Sequence, residues 1–303
     1  SLLDNYIFSL YQDSQQILWV ATKLGLHRYN HTDDNFTRVR IRGFEDQLQQ
    51  IQNIYQDNNN NYWIATSYNG LFIINEKFSY AISLQESNKW DLIIGATTIF
   101  NIKSIEGNYW LATNNGLYII SADYKLKQHI TTETNNRLLS NQITDIEKVN
   151  DTHVWIATSN GLNTLNLLDN SIQKYQSNSY KNSLSDNWLL DIYQDDSGKV
   201  WLGTYSGLNQ YNLLSTNFQQ INSFTINKNS SAKILVTSFA ETSNKNIWFT
   251  TQSGKLYKRS ATDSIQEVIV PIPNTISQVL ADQQNNLWLL TSDNALYQYN
   301  QQQ

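Results

Sequence analysis

The chain is written in short alternating stretches. Tyr6-Ile7-Phe8-Ser9-Leu10-Tyr11, Ile51-Gln52-Asn53-Ile54-Tyr55 and Trp188-Leu189-Leu190-Asp191-Ile192-Tyr193 step between apolar and polar positions. A period of two marks a strand with one buried face. A polar turn follows each stretch, as in Gln12-Asp13-Ser14-Gln15-Gln16 or Gln194-Asp195-Asp196-Ser197-Gly198. Next come a compact apolar phrase opened by Trp, a Gly-Leu pair, and a segment ending near Tyr29-Asn30 or Tyr211-Asn212. These predict a second and a third strand, and the Gly between them supplies the φ freedom of a tight hairpin. A more variable stretch, such as Phe36-Thr37-Arg38-Val39-Arg40-Ile41, predicts a fourth. No repeat holds an apolar pattern of period 3.6 over about 12 residues, which excludes leucine-rich, ankyrin and helical-pair arrays.

The unit recurs. Trp19-Val20-Ala21-Thr22 returns as Trp63-Ile64-Ala65-Thr66, Trp110-Leu111-Ala112-Thr113, Trp155-Ile156-Ala157-Thr158 and Trp201-Leu202-Gly203-Thr204. Two looser copies follow, Trp248-Phe249-Thr250-Thr251 and Trp288-Leu289-Leu290-Thr291, and the Trp intervals are 44, 47, 45, 46, 47 and 40. Four antiparallel strands per unit, seven times over, predict an all-β fold, a seven-bladed β-propeller spanning 1–303 as a single domain. Each phrase Trp then packs one blade against the next, a burial that contributes roughly 1.5–3 kcal/mol relative to exposure. The chain starts at an inner strand and ends at Tyr297-Gln298-Tyr299-Asn300, a third strand. The last blade is therefore expected to lack its outer strand.

Composition narrows the function. Charged residues are only 16% and the net charge is −5, with no basic stripe, so nucleic-acid backbone binding is not expected. With no Cys there is neither a disulfide scaffold nor a thiolate metal site. No apolar run approaches the roughly 18 residues of a membrane span, so no membrane contact is expected within this segment. The absence of Met and the opening Ser1-Leu2-Leu3-Asp4 read as an excised segment.

The phrase resembles the two-component regulator propeller repeat. The best copy runs from Ser183-Leu184-Ser185-Asp186-Asn187 through Trp201-Leu202-Gly203-Thr204-Tyr205-Ser206-Gly207-Leu208-Asn209-Gln210-Tyr211-Asn212. Copies six and seven depart, with Lys255 between Gly254 and Leu256 and with Ala295 in place of Gly. The resemblance implies a periplasmic sensor region of a bacterial membrane receptor. Such propellers occur in pairs, ahead of a β-sandwich, a membrane helix and a histidine kinase or diguanylate cyclase output. In gut-bacterial members the signal is commonly an oligosaccharide. None of the output machinery is in this chain, so the fragment is expected to bind or transmit and not to be an enzyme.

The chemistry-bearing residues are few. His27 and His31 have i, i+4 spacing, but on a strand running into a turn they need not share a face. Asp195-Asp196-Ser197-Gly198 and Asp57-Asn58-Asn59-Asn60-Asn61 faintly resemble calcium loops but lack the closing glutamate. No cofactor and no metal is expected. A lyase-like propeller holding a metal with His and Glu is a remote alternative resting on fold analogy alone.

A ligand face can be placed. In a propeller the loops entering the inner strand and those joining strands two and three gather around the channel. Here they carry amides, hydroxyls and aromatic rings, and the candidates are Lys23, Tyr68, Asn115, Asn160, Asn187, Trp188 and Tyr205. Flat rings beside amides suit an oligosaccharide, stacked on its C–H faces and hydrogen-bonded at its hydroxyls. The plainer reading is that Asn caps turns and the rings pack on neighbouring blades. Trp90, outside the phrase, is a candidate interface with a second propeller or a dimer mate. A purely structural or protein-interaction propeller is the second reading.

Overall fold

The computed structural model describes residues 2, 4, 6–40, 49–67, 69–75, 81–83, 97–134, 137–179, 182–212, 217–221, 235–260 and 265–300. Every regular element among them is a strand. Blade 1 is built from β1 (Ile7–Gln12), β2 (Leu18–Thr22), β3 (Gly25–Asn30) and β4 (Asn35–Arg38); blade 2 from β5 (Ile51–Gln56), β6 (Tyr62–Thr66), β7 (Leu71–Ile74) and β8 (Ala81–Ser83). Blade 3 follows with β9 (Ile99–Ile105), β10 (Asn108–Thr113), β11 (Gly116–Ser121) and β12 (Leu126–Ile130), then blade 4 with β13 (Ile143–Lys148), β14 (His153–Thr158), β15 (Gly161–Asn166) and β16 (Ile172–Tyr175). Blade 5 has β17 (Leu189–Gln194), β18 (Lys199–Thr204), β19 (Gly207–Asn212) and β20 (Asn217–Ile221). Blade 6 has β21 (Val236–Glu241), β22 (Ile247–Thr251), β23 (Leu256–Arg259) and β24 (Ile265–Val268). Blade 7 has β25 (Ile276–Ala281), β26 (Leu287–Thr291) and β27 (Leu296–Tyr299).

Each sheet is antiparallel and runs in chain order, six with four strands and the seventh with three. The fold is the seven-bladed β-propeller that the repeat predicts, down to the shorter last blade. Two compact units divide the chain, Ser1–His129 and Ile130–Gln303.

Burial explains the repeat. The seven phrase Trp are at most 4% exposed. In the first unit Trp19 clusters with Ile51, Ile54 and Ile64 of blade 2, and Trp63 with Ile99, Ile102 and Leu111 of blade 3. In the second, Trp155 meets Leu189 and Leu202, Trp201 meets Val236 and Phe249, and Trp248 meets Val279 and Leu289. These five Trp therefore join a blade to its successor, where a large flat side chain removes much apolar surface from water.

The phrase Thr has its own work. Its hydroxyl donates to a carbonyl across the hairpin, Thr22 to Gly25 at 2.8 Å, Thr158 to Gly161 at 2.7 Å and Thr204 to Gly207 at 2.8 Å. Gly161 has φ +124, and a Cβ there would lie 2.5 Å from the Tyr175 carbonyl oxygen. The departures in copies six and seven prove to be one-residue insertions. There the hairpin is closed by Thr251 N–H to the Lys255 carbonyl (3.1 Å) and Thr291 N–H to the Ala295 carbonyl (2.9 Å). The positive φ moves one residue earlier, to Gly254 (+76) and Asn294 (+65).

Candidate ligand-binding site

One end of every sheet is made the same way. The residue after the phrase Thr donates its amide to the carbonyl of the residue that precedes the inner strand. The seven bonds are Lys23 to Tyr6 (2.8 Å), Ser67 to Gln50 (3.0 Å), Asn114 to Thr98 (3.1 Å), Ser159 to Gln142 (3.1 Å), Tyr205 to Trp188 (2.9 Å), Gln252 to Leu235 (2.8 Å) and Ser292 to Thr275 (2.7 Å). Just beyond, each inner strand takes a β-bulge against the phrase strand, for example between Ile7 and Ser9 and between Leu189 and Asp191. A bulge re-aims the chain where pairing ends. The result is a fixed backbone rung that presents two side chains at the end of each blade.

What the rungs carry differs from blade to blade. On blade 5 the rings of Trp188 and Tyr205 stack with centroids 5.6 Å apart and planes at 26°. They are 42% and 49% exposed, against 0% for the phrase Trp201 of the same blade. Neither the Trp188 indole N–H nor the Tyr205 hydroxyl has a partner among the described residues. The pair therefore offers a flat apolar surface edged by a donor and a hydroxyl. The Trp188 backbone is itself held, its N–H donating to Asp186 Oδ1 at 2.9 Å. On blade 1 the equivalent rung carries Tyr6, with Lys23 Nζ 5.3 Å from its ring centroid. Such a cation over a ring face is weakly attractive at an exposed site.

The predicted amides each have a partner inside the protein. Asn187 Oδ1 accepts the Ser177 N–H at 2.6 Å, as Asn141 Oδ1 accepts that of Thr132 at 2.7 Å. Asn160 takes Gln176 Nε2 on its carbonyl (3.0 Å) and on Oδ1 (3.2 Å), while its own Nδ2 donates to the Leu139 carbonyl at 3.3 Å. Asn160 and Asn187 thus pin neighbouring residues of the connector that leaves β16. A cavity of about 260 Å³ opens in that connector, lined by Lys174, Gln176, Asn178, Asn182 and Ser183 among others. The sequence gives no periodic signal for these linings, because the connectors are the variable part of the repeat. Asn115 stands apart: its Nδ2 donates to the Tyr118 hydroxyl at 3.1 Å and its carbonyl meets His129 Nε2 at 2.6 Å. Burial pushes the Tyr118 phenol above its usual pKa. Of the sequence candidates, then, Trp188 and Tyr205 are brought together, Lys23 joins Tyr6, and Tyr68 and Trp90 lie outside the described residues.

No metal chemistry emerges from the turns. Asp195 Oδ1 accepts the N–H groups of Ser197 (3.0 Å) and Lys199 (2.9 Å), and its Oδ2 accepts the Trp201 indole at 2.9 Å. Asp57 does the same for Asn59, Asn61 and Trp63. The calcium-like spacing is the spacing of an Asp that orders its own turn. Among the described residues, no group of three His, Asp or Glu could hold a metal ion, and no helix is long and apolar enough to cross a membrane.

With the geometry in place, the chain can be set beside known proteins. No curated protein matches it. Over 97% of its length it superposes on the extracellular domain of the putative hybrid two component system BT3049 from B. thetaiotaomicron, at TM-score 0.77 and 22% identity, covering 40% of that chain. The corresponding domain of BT4673 from the same organism gives TM-score 0.78 and 22% identity over 97% of this chain and 38% of that one. The chain thus spans about two fifths of the length of these structures. A streptogramin B lyase superposes at TM-score 0.71 with 10% identity, over 98% of this chain and 93% of that one. At these identities the likenesses show the fold. Residues 1–23, 47–68 and 183–206 match the family described as Two component regulator propeller. Each matched segment ends at or next to the hairpin residue of a rung, so the family unit is the inner strand, the Trp phrase and the bond that joins their ends. Three segments of the chain thus match the two-component regulator propeller repeat, and the chain folds as a seven-bladed β-propeller.

Proposed function

We propose that this propeller is the extracytoplasmic, periplasmic sensing part of a bacterial signal-transduction receptor, and that it takes an oligosaccharide on the Trp188–Tyr205 platform. One observation carries the reading: two large rings, stacked and half-exposed, sit on a rung whose counterparts on blades 2, 3, 4 and 7 carry short polar side chains or Gln. Leaving such surface in water costs stability unless a partner covers it, and a stacked sugar ring has the size and the C–H face to do so. The chain binds and transmits as a single domain; reaction chemistry belongs to an output module elsewhere in the receptor. The likeness to extracellular domains of hybrid two component systems supports the placement.

The test is isothermal titration of the chain with neutral and acidic plant and host oligosaccharides of two to eight sugars. Micromolar binding that disappears in Trp188→Ala and Tyr205→Ala, with unfolding midpoints unchanged, supports the site. A second reading is a propeller that only packs against a second propeller, a dimer mate or another protein. The partners that Asn115, Asn160 and Asn187 already have inside the chain favour it. Absence of binding here, with binding by the longer receptor ectodomain, would decide for that reading.

A further inference from the structure

The chain has a net charge of −5, yet its few Arg are gathered: Arg28, Arg38, Arg40 and Arg42 fall in blade 1, and only Arg137 and Arg259 lie elsewhere. Arg38 closes β4 opposite His27. The Val39 N–H continues the pairing by donating to the Leu26 carbonyl at 2.8 Å, which brings the exposed Arg40 level with Gly25. Residues two apart on a strand share a face, so both cations run up one side of the strand toward the β2–β3 hairpin. Arg38 reaches it, its Nη2 donating to the Leu24 carbonyl at 3.1 Å. On blade 4 the place of Arg40 is taken by Gln176, whose Nε2 donates to the hairpin carbonyl of Asn160 at 3.0 Å. A side chain at that place therefore has the reach to meet the hairpin.

The rung at this hairpin is built like that of blade 5. Asp4 Oδ1 accepts the Tyr6 N–H at 2.9 Å, as Asp186 Oδ1 accepts that of Trp188 at 2.9 Å. Each ring is left in solvent, Tyr6 at 56% and Trp188 at 42%. The difference is the hairpin residue that meets the ring, Tyr205 on blade 5 and Lys23 on blade 1. The Lys23 backbone is held on both sides: its N–H donates to the Tyr6 carbonyl and its carbonyl accepts the Gln50 N–H, both at 2.8 Å. Its ammonium stands 5.3 Å from the Tyr6 ring centroid, a contact that keeps the charge beside the ring. Leu24, 41% exposed, extends the apolar surface. One ring, one aliphatic side chain and three cations are thus gathered at one hairpin, and Asp4 offsets a single one of the charges.

We propose that the blade 1 rung is a second binding site, one for an acidic sugar. A uronate or sulfated residue places its acid group on Lys23 and Arg38, with Arg40 alongside, and lays its ring along Tyr6 and Leu24. The inference rests on the sugar chemistry of the proposed function but uses none of the blade 5 residues. Ammonium and guanidinium groups give charge-assisted hydrogen bonds to carboxylate or sulfate oxygens, stronger than those between neutral partners. The exposed ring and Leu24 favour a sugar over a bare inorganic anion, which has no apolar face to cover them. Three cations at one hairpin are also far fewer than the roughly 6–10 phosphate contacts of a salt-sensitive nucleic-acid interface. The exchange of Tyr205 for Lys23 on the same backbone frame therefore changes the class of ligand from neutral to acidic.

Isothermal titration of the chain tests the site, with tetragalacturonate, a chondroitin sulfate tetrasaccharide and the neutral methyl ester of tetragalacturonate as probes. At low salt at least one acid should bind about tenfold more tightly than the ester, and the preference should shrink at high salt, where exposed charges are screened. Lys23→Gln and Arg38→Gln should each weaken acid binding at least about fivefold, Lys23→Arg should retain most of it, and it should persist in Trp188→Ala. Unfolding midpoints are taken for every variant, and Arg40→Gln, at an exposed side chain, replaces Arg38→Gln if that variant unfolds. Equal affinity for acid and ester overturns the site, as does acid binding that Lys23→Gln leaves unchanged. Acid binding lost in Trp188→Ala alone also overturns it and upholds the blade 5 platform. If neither acid binds, the site falls, whatever neutral sugars do on blade 5. Sedimentation with phosphatidylglycerol vesicles through the same cations, without binding of either acid, would assign the face to an anionic surface and overturn the sugar.

Discussion

The Trp19 indole donates its N–H to Asp13 Oδ2 at 2.7 Å, and Tyr62 of the next blade donates its hydroxyl to the same oxygen at 2.7 Å. Asp13 Oδ1 accepts the N–H groups of Gln15 and Ile17 at 2.9 and 2.8 Å. One buried carboxylate therefore fixes the first turn, orients the Trp and joins two blades. Asp57, Asp195 and Asp282 hold Trp63, Trp201 and Trp288 alike, each six residues ahead of its ring. Thr242 substitutes at Trp248, at 3.3 Å. Blade 3 lacks the device because its hairpin is shorter, turning at Glu106 and Gly107 with φ +49 and +67. The Trp110 indole N–H is consequently buried without a partner among the described residues.

This predicts a position-specific cost. Asp195→Ala leaves a buried indole N–H and two turn amides without their acceptor, each worth about 1–3 kcal/mol when desolvated. We expect a loss of about 3 kcal/mol in urea unfolding. Asp196→Ala, at its exposed neighbour, should stay within about 1 kcal/mol. Similar losses at both positions would contradict the role given to the first Asp.

Glycine makes a second contrast. At Gly254, φ is +76 and an added Cβ would fall 1.9 Å from Thr275 Cβ, so Gly254→Ala must displace packed chain. Gly198 has φ +82 and open space around it. Gly198→Ala should cost about 1 kcal/mol of backbone strain, and Gly254→Ala at least twice that. Thermal unfolding midpoints of the two variants give the comparison.

The fold was legible because Trp, Thr and Gly answer recurring demands: inter-blade packing by five of the phrase Trp, a hairpin hydroxyl bond, and a positive φ that Asn294 supplies in blade 7. Even the missing outer strand could be counted. The Asp-to-Trp bond was written in the sequence as a constant six-residue offset, but turn propensity alone already accounts for Asp there, which conceals the second role. The ligand candidates were less legible. Trp188 lies just ahead of β17, in the place that Gln50, Gln142 and Thr275 take in blades 2, 4 and 7, and the variable composition of that place hides the correspondence in the sequence. For Asn160 and Asn187 the sequence shows polar residues on a loop but not the bonds they make to the connector after β16.

His27 gives the pH dependence. It occupies the third-strand position held by Asn163 and Asn209 in blades 4 and 5, and it is fully buried. Burial, with the Arg38 charge adding to it, lowers its pKa from 6.5 to about 4. Its folded pKa lies below the unfolded one, so the unfolded state binds the proton first as pH falls. The associated stability is complete above pH 6.5 and is lost between there and about pH 4, by up to about 3 kcal/mol. In His27→Asn this part of the decline should vanish. Urea midpoints at pH 7, 5.5 and 4 for both chains measure it, and parallel curves would assign the acid sensitivity elsewhere.

The two Trp of blade 5 should separate stability from recognition. Trp201 is fully buried between blades 5 and 6, with Arg259 stacked 4.4 Å from its ring centroid and Asp195 on its N–H. Trp201→Ala removes a core aromatic and leaves that carboxylate without its donor, at a cost of about 3–5 kcal/mol. Among the described aromatic side chains Trp188 packs on Tyr205 alone; it is 42% exposed and is held in place by backbone bonds that Ala retains. Trp188→Ala should therefore change stability by less than about 1 kcal/mol. Its effect should fall on ligand binding. Trp188→Phe keeps a flat ring but removes the indole N–H, so it should retain stacking and lose the hydrogen bond, giving intermediate affinity. Calorimetric unfolding and oligosaccharide titration of the three variants make the comparison. A loss of stability in Trp188→Ala approaching that of Trp201→Ala would show that the platform is part of the core and end its candidacy as a binding surface.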